Sequence, residues 1–438
     1  MSARRSVLIV TSSYAPAMIA DMHRARLLAW DLPALGWAVE ILSPGVEFQH
    51  PSCIDDDGQA YFAPAIPVHS ARPWAAALFR LLTARSIGWR ALVPMAVQGL
   101  RLLRDRRFDL VYITTTQFSL FLLGVFWRRV TGTPYVLDLH DPVYTGRVAR
   151  YRTTRHRFKR AVSRAVTRFV ESRAMRSASG LVSVSPHYLA ELRQRYAHTR
   201  PVCLADIRNV VIPFGARPED LARVARSPIR DEQTSCPVVR IVYVGVGGQI
   251  MARSLRAICR ALRLLQERGH RPAARLRIEL HGTTYGWREG GDKPLRQLAR
   301  ECGMAELIEE FPARVSYRRS LELLHEADGV LVLGVDHGGY MPSKLFGYAL
   351  SGKPLLAALH ADSPARAYFQ RTRRFGHLLW FDDGNGMPEE EAVRTMEAFL
   401  AEAAAGERFD RLGLLQPVLS CAMAAQHAKL FERCLDAH

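Results

Sequence analysis

Short apolar runs alternate with helical segments along the whole chain, and this alternation constrains the fold more than any other feature. The runs are three to five residues long and rich in branched side chains, which is typical of buried parallel strands. Each helix must cross back over the sheet before the next strand begins. We therefore predict an α/β fold with strands at 7–10, 38–42, 110–113, 135–139, 181–184, 210–212, 240–244, 276–280, 330–333 and 355–359.

A polar stretch at 216–237 interrupts the alternation and contains three prolines, which disfavour both helices and central strands. The chain has 438 residues, which is too long for one ordinary core. We predict two Rossmann-like, doubly wound parallel-sheet domains that face a cleft, at 1–215 and 238–415. The stretch 216–237 is expected to link them, and a helix within 416–438 can pack back on the first domain.

The positive charge of the chain is concentrated in its first half. The net charge is +18. Residues 1–218 hold 30 Lys or Arg and 14 acids, whereas residues 219–438 hold 30 and 28. The two halves are therefore expected to meet different partners.

The seven cysteines are scattered and form no C-x-x-C pair, which indicates free thiols in a reducing compartment. The apolar run after Arg4 and Arg5 covers only 7–10, which is too short for the core of a signal peptide. The longest apolar stretch, 118–127, is well below the ~20 residues of a membrane-spanning helix. These features predict a cytoplasmic protein.

The segment 338–359, GGYMPSKLFGYALSGKPLLAAL, predicts a turn, a helix and a buried strand in succession. Pro342 suits the first turn of a helix, where its missing N–H costs nothing. Ser343 and Lys344 follow in that turn, and Leu345 begins the apolar spacing. Free N–H groups and the helix dipole at such a start attract a phosphate.

This segment resembles the donor-site motif of family 4 glycosyltransferases, which have the two-domain B-type fold. Further similarities follow in the same order along the chain, at Tyr14 and Pro16, at 36–42, at 177–185 and at 212–215. The resemblance implies a retaining enzyme that binds a nucleotide-sugar in its second domain. It implies no cofactor and no metal ion.

Other residues of the second half are candidates for holding the diphosphate. Glycines after the predicted strands 240–244 and 276–280 allow the backbone to approach a ligand closely. For the loop after 240–244, a tight strand–helix turn is the alternative. Arg253 can reach a phosphate or remain solvated. The predicted glycine contacts are Gly245, Gly247, Gly248 and Gly282.

The chain departs from the family where two glutamates are usual, because Gly339 and Gly347 occupy those positions. In the family one glutamate contacts the sugar and the other accepts hydrogen bonds from the ribose. Asp336 or His337 can replace the sugar contact, or lie in a solvated loop. This departure leaves the donor, and the activity itself, open.

In the first half, a strand ends in the sequence YVLDLHDP at 135–142, at the edge where a doubly wound sheet exposes its ligand site. Asp141 is predicted to orient an acceptor hydroxyl, and His140 to shuttle a proton. The alternative is that Asp141 caps a helix and His140 is packed in the interior. Relatives that act on lipid-linked sugars carry a similar stretch.

Two stretches of the first half combine cations with apolar spacing. Residues 147–176 hold eleven Lys or Arg and one acid, and residues 72–107 hold eight Arg and one acid. Their apolar stripes are expected to pack on the core. Cations that face outward would bind anionic headgroups at about 1 kcal/mol each, which predicts peripheral association with the inner face of the cell membrane.

The sequence therefore predicts a glycosyltransferase that moves a sugar from a nucleotide-sugar to a lipid-linked or glycan acceptor in polysaccharide or glycoconjugate assembly. Two alternatives stay open, a nucleotide-sugar epimerase of the same fold and a non-catalytic, membrane-associated assembly protein. Nucleic-acid binding is suggested by charge alone, and the strand order and the Pro-Ser-Lys motif argue against it.

Overall fold

The computed structural model describes residues 4–55, 62–76, 86–142, 154–196, 207–224, 238–269, 275–284, 293–384 and 386–436. The chain divides into two compact units. The first contains Met1–Pro213 together with Ser420–His438, and the second contains Phe214–Leu419.

The first unit is built on a parallel sheet of seven strands in the order β3-β2-β1-β4-β5-β6-β7. Strand β1 lies between β2 and β4, with Val7 opposite both Val39 and Leu110. The order reverses at β1, as in a doubly wound sheet. The strands are β1 (Arg5–Val10), β2 (Trp37–Pro44), β3 (Val68–Ala71), β4 (Leu110–Thr114), β5 (Tyr135–Leu139), β6 (Gly180–Ser183) and β7 (Arg208–Val211).

Helices cover both faces of this sheet. One face carries a core shared with α2, α3, α4 and α5, and the other a core shared with α1 and α14. The C-terminal helix thus belongs to the first unit, where Met423, Leu430 and Phe431 are buried. The helices are α1 (Ala20–Asp31), α2 (Ile87–Arg106), α3 (Phe121–Thr131), α4 (Thr154–Ser177), α5 (Pro186–Tyr196) and α14 (Ser420–Leu435).

The second unit has a parallel sheet of six strands in the order β10-β9-β8-β11-β12-β13. A core formed with α7, α8 and α12 covers one of its faces. The strands are β8 (Val238–Val244), β9 (Arg275–His281), β10 (Ile308–Phe311), β11 (Gly329–Leu333), β12 (Leu355–His360) and β13 (His377–Phe381). The helices are α6 (Pro218–Val224), α7 (Ala252–Glu267), α8 (Pro294–Glu301), α9 (Tyr317–Glu326), α10 (Leu345–Leu350), α11 (Arg366–Arg371), α12 (Glu389–Ala404) and α13 (Leu412–Leu415).

The predicted α/β fold with two doubly wound parallel sheets is confirmed, and all ten predicted strands are present. Three strands were missed, namely β3, β10 and β13, and each lies at an edge of its sheet. The expected linker 216–237 differs from the structure, because α6 lies inside it and packs on α9 through Tyr317 Oη, which donates to Asp220 at 3.0 Å. Residues 225–237 lie outside the described part of the chain.

Candidate functional site

The loop after β8 runs at the carboxyl edge of the second sheet, where backbone hydrogen bonds hold it in place. Gly245 N–H donates to His281 O at 2.8 Å, and Gly247 N–H donates to Thr283 O at 2.9 Å. Gly248 has φ +102° and open space around its Cα, a conformation that only glycine adopts easily. These bonds hold the loop against the end of β9.

Lys344 lies against this loop. Its Nζ donates to Val244 O at 2.9 Å and lies 6.0 Å from the centroid of the Tyr243 ring. A Cβ on Gly245 would come within 1.9 Å of that Nζ. Any side chain at position 245 would therefore displace the lysine, so the two residues form one arrangement.

The electrostatic surroundings of Lys344 favour an anion. The residue is exposed, yet enough protein surrounds its ammonium that desolvation, followed by repulsion from Arg314, lowers its pKa to about 8. No carboxylate in the described part of the chain pairs with it. An anion beside the ammonium would offset both effects.

Arg314 is a candidate that the sequence did not indicate. It follows β10 at the same sheet edge, and a Cβ on Gly282, which has φ +68°, would lie 3.9 Å from Arg314 Cα. Gly282 N–H donates to Phe311 O at 2.9 Å. The loops after β8, β9 and β10 thus bring Gly245, Gly282 and Arg314 together, because adjacent parallel strands end at one edge.

The predicted helix start at Pro342 is wrong by three residues. Helix α10 begins at Leu345, and Ser343 and Lys344 form a turn before it. Leu345 N–H donates to Pro342 O at 3.2 Å, and no side chain caps the helix. Pro342 and Leu345 are buried, so the exposed group of this motif is Lys344 rather than the helix end.

Arg253 has acidic partners. Its Nη1 lies 2.8 Å from Asp383 Oδ1 and 3.1 Å from Asp336 Oδ1, and it donates to Asp382 O at 3.2 Å. The structure therefore directs this guanidinium to carboxylates, and Asp336, a candidate for the sugar contact, serves as one of them. A phosphate could recruit Arg253 only in competition with these ion pairs.

Asp336, His360 and Asp383 bring their ligand atoms within 4.8 Å of one another. Arg253 contacts both carboxylates of this group, and its positive charge offsets their negative charge. His360 Nδ1 accepts from the Asp362 N–H at 3.1 Å. The group is best described as an ion-pair cluster.

The carboxyl edge of the first sheet contains a buried polar network centred on Asp138. Its Oδ2 accepts from Tyr112 Oη at 2.7 Å and Thr114 Oγ1 at 3.0 Å, and lies 3.2 Å from Arg24 Nε. Burial raises the pKa of Asp138, but Arg24 and then His140 outweigh it and hold the pKa well below its usual range. Asp138 is therefore ionised.

His140 belongs to this network. Its Nε2 lies 2.7 Å from Asp138 Oδ2 and 2.9 Å from Thr114 Oγ1, and its side chain is 2% exposed. Because an ionised carboxylate only accepts, Nε2 carries the proton. The geometry matches the packed alternative for His140, since substrate in solution cannot reach a side chain buried in this way.

Asp141, the next residue, is exposed. Desolvation by nearby protein raises its pKa, with an opposing effect of His140 and a reinforcing effect of Asp21. Residues 143–153 after it lie outside the described part of the chain. Of the two predicted acceptor residues, the structure leaves Asp141 accessible and encloses His140.

Residues 23–206 match the family described as glycosyl transferase 4-like domain. A trehalose-phosphate synthase from Burkholderia xenovorans is similar in structure, with a TM-score of 0.61 and 14% identity over 97% of this chain and 99% of that one. HepE from Anabaena, solved with UDP and glucose, has a TM-score of 0.57 and 14% identity, over 98% of this chain and 99% of that one. A glycosyltransferase from Rickettsia africae has a TM-score of 0.54 and 12% identity, over 99% of this chain and 100% of that one.

The chain has the B-type fold of the family 4-like glycosyltransferases. The predicted resemblance of fold is thereby confirmed. No curated protein matches this chain by sequence. None of the described helices has the length and apolar character needed to cross a membrane.

Proposed function

We propose that this glycosyltransferase-like protein transfers a sugar from a nucleotide-sugar to a lipid-linked or glycan acceptor, with retention of configuration, in polysaccharide or glycoconjugate assembly. The observation that carries the proposal is the arrangement of Lys344 and Arg314 beside the Gly245 loop. Desolvation, and then repulsion from Arg314, lowers the pKa of Lys344. The diphosphate of a nucleotide-sugar is an anion that would relieve this repulsion.

The choice of a nucleotide-sugar has a second support. The Anabaena structure of the same fold contains UDP and glucose. In this chain the Gly248 backbone is open to a ligand, and backbone N–H groups in such loops bind phosphate oxygens. We propose that Gly245, Gly247 and Gly248 approach the diphosphate together with Lys344 and Ser343.

The chemistry requires that negative charge on the leaving diphosphate be stabilised. The acceptor hydroxyl oxygen bonds to the anomeric carbon as the bond from that carbon to the diphosphate oxygen breaks. A donor phosphate oxygen takes the hydroxyl proton. Lys344 and Arg314 supply positive charge to the departing group, whereas Arg253 is occupied by Asp336 and Asp383.

We assign the acceptor to the first unit, where Asp141 is exposed and can accept a hydrogen bond from a sugar hydroxyl. His140 would act indirectly, by holding the end of β5 in position next to Asp141. A peripheral location on the inner face of the membrane fits an acceptor carried by a lipid.

A thermal-shift titration with UDP, GDP and ADP tests the donor site, because a ligand that binds only the native state stabilises it by about 2.7 kcal/mol at 100 times its Kd. We expect one nucleotide to raise the melting temperature and Lys344→Ala to abolish the rise. Lys293→Ala, which removes an exposed lysine of the same unit, is the matched control and should retain it.

The missing glutamates favour one second candidate, a non-catalytic assembly protein. Gly339 and Gly347 cannot contact the sugar or ribose as the family glutamates do. Absence of a thermal shift with all three nucleotides, in protein that melts cooperatively, would support this candidate and reject nucleotide-sugar binding.

A further inference from the structure

Helices α2, α3 and α4 lie side by side on one face of the first sheet. Each exposes apolar side chains on the side away from the core, and we call this surface the helical face. Its exposed apolar residues include Val97, Phe126, Val130, Val162, Val166 and Phe169, whose exposed fractions range from 37% to 57%.

The expectation that these apolar stripes pack on the core is only half right. In the second half of α4, Val170, Ala174 and Met175 are buried. In residues 161–169 of the same helix no residue is buried. Val162, Val166 and Phe169 recur at helical spacing and face solvent.

The helical face is also strongly cationic. Where their side chains are described, helices α2, α3 and α4 contain ten Arg and two acids. One of those acids, Glu171, is buried and bonded to Arg195. Arg101, Arg129 and Arg168 are exposed, and within the described residues no carboxylate pairs with them.

We propose that the helical face docks on an anionic lipid bilayer. Charge complementarity favours this occupant, because Arg101, Arg129 and Arg168 are exposed on the same helices as the exposed valine and phenylalanine side chains. A bilayer offers anionic headgroups at its surface and an apolar interior directly beneath them. A nucleic acid would satisfy the arginines and leave the valines in water.

The inference is independent of the proposed transfer activity, because vesicle binding is measured without donor or acceptor. The full-length protein is sedimented with vesicles that contain phosphatidylglycerol and with vesicles of phosphatidylcholine alone. We expect binding to the anionic vesicles only. It should weaken as salt rises from about 0.1 M to about 1 M, since the Debye length falls from about 10 Å to about 3 Å.

Two variants locate the surface. Arg129→Gln with Arg168→Gln should lower partition into anionic vesicles about twenty-five-fold, at about five-fold for each cation. Phe126→Ser with Phe169→Ser should lower it about ten-fold or more. Leu412→Ser with Arg300→Glu is the matched control, because both residues are exposed on the second unit, and it should bind like the wild type.

Each substitution changes an exposed side chain, so the melting temperature should stay nearly unchanged. Equal binding to both kinds of vesicle, or no binding to either, would overturn the proposal. So would the arginine variant binding as tightly as the wild type. A dimer in sedimentation velocity that Phe126→Ser dissociates would instead make the helical face a contact between two copies of the chain, and RNA that displaces the protein from vesicles would favour a nucleic acid.

Discussion

Lys344 is the residue whose environment most directly predicts a pH dependence. Its pKa is lowered from 10.5 to about 8, so its charged fraction falls as the pH rises through that value. A phosphate is already ionised above about pH 7, since its second pKa is about 6. Nucleotide affinity should therefore fall above pH 8, by up to about ten-fold per pH unit, in calorimetric titrations.

Lys344→Arg is the control for this dependence, because arginine stays protonated throughout the range. Its affinity is expected to be nearly constant between about pH 7 and 9. A wild-type affinity that does not change over the same range would show that Lys344 does not meet the phosphates.

Asp138 supports the strand end that carries His140 and Asp141. Asp138→Asn leaves the Arg24 guanidinium, which is fully buried, without its charge partner. Loss of one member of a buried pair costs about 3–5 kcal/mol, and we expect the first unit to lose that much stability in urea unfolding. Because the pKa of Asp138 is depressed, its stabilisation is present at neutral pH and is lost as the pH falls below about 4.

Glu267→Gln is the control for Asp138, since Glu267 and Arg263 form an exposed pair at 3.7 Å. Its effect should stay below about 1 kcal/mol. If Asp138→Asn costs no more than this control, the network does not depend on charge.

At the scale of elements, the strands that were predicted are mostly apolar and lie mostly inside the two sheets. Of the missed strands, β3 has the sequence VHSA and β10 has the sequence IEEF. In both, polar residues interrupt the apolar pattern by which the other strands were predicted. Glu310 of β10 is nonetheless buried, because Thr283 Oγ1 and the Arg296 N–H donate to it at 2.6 Å and 2.8 Å. Such partners come from other parts of the chain, so the local sequence does not reveal them.

Helix α10 offers a test of the donor motif, which lacks the glutamates usual in the family. Gly347 lies inside this helix, and nothing lies within 4 Å of a Cβ built there. Gly347→Ala should therefore stabilise the protein by about 0.5–1 kcal/mol. Gly347→Glu restores the carboxylate that binds ribose hydroxyls in the family, and we expect it to tighten nucleotide binding in calorimetry.

Gly347→Gln separates helix propensity from carboxylate chemistry, since glutamine and glutamate have similar helix propensities. A gain in affinity that both variants share would exclude a specific role of the carboxylate. No gain with either would place the ribose away from position 347.

At the scale of the whole molecule, the chain leaves the first unit at Pro213 and returns at Ser420. Truncation after Leu419 removes α14, which contributes Met423, Leu430 and Phe431 to the core around β1 and β4. Each such side chain is worth about 1.5–3 kcal/mol, and together they approach the total stability of a typical domain.

We therefore expect the truncated protein to lose the melting transition of its first unit in calorimetry and to keep that of the second. Truncation after Cys434, which removes only the last four residues, is the control. One transition that disappears as a whole would mean that the second unit does not fold alone.

The α/β class and the presence of two doubly wound sheets follow from the sequence alone. Periodicity and turn-forming residues act over a few neighbouring positions, which is why the Gly245 loop and the Lys344 motif could be recognised. Only the tertiary structure decided that Arg253 is paired with Asp336 and Asp383, that Arg314 lies near Lys344, and that His140 is enclosed. Those outcomes depend on which loops meet at one sheet edge, and loops distant in sequence meet there only because the whole sheet has formed.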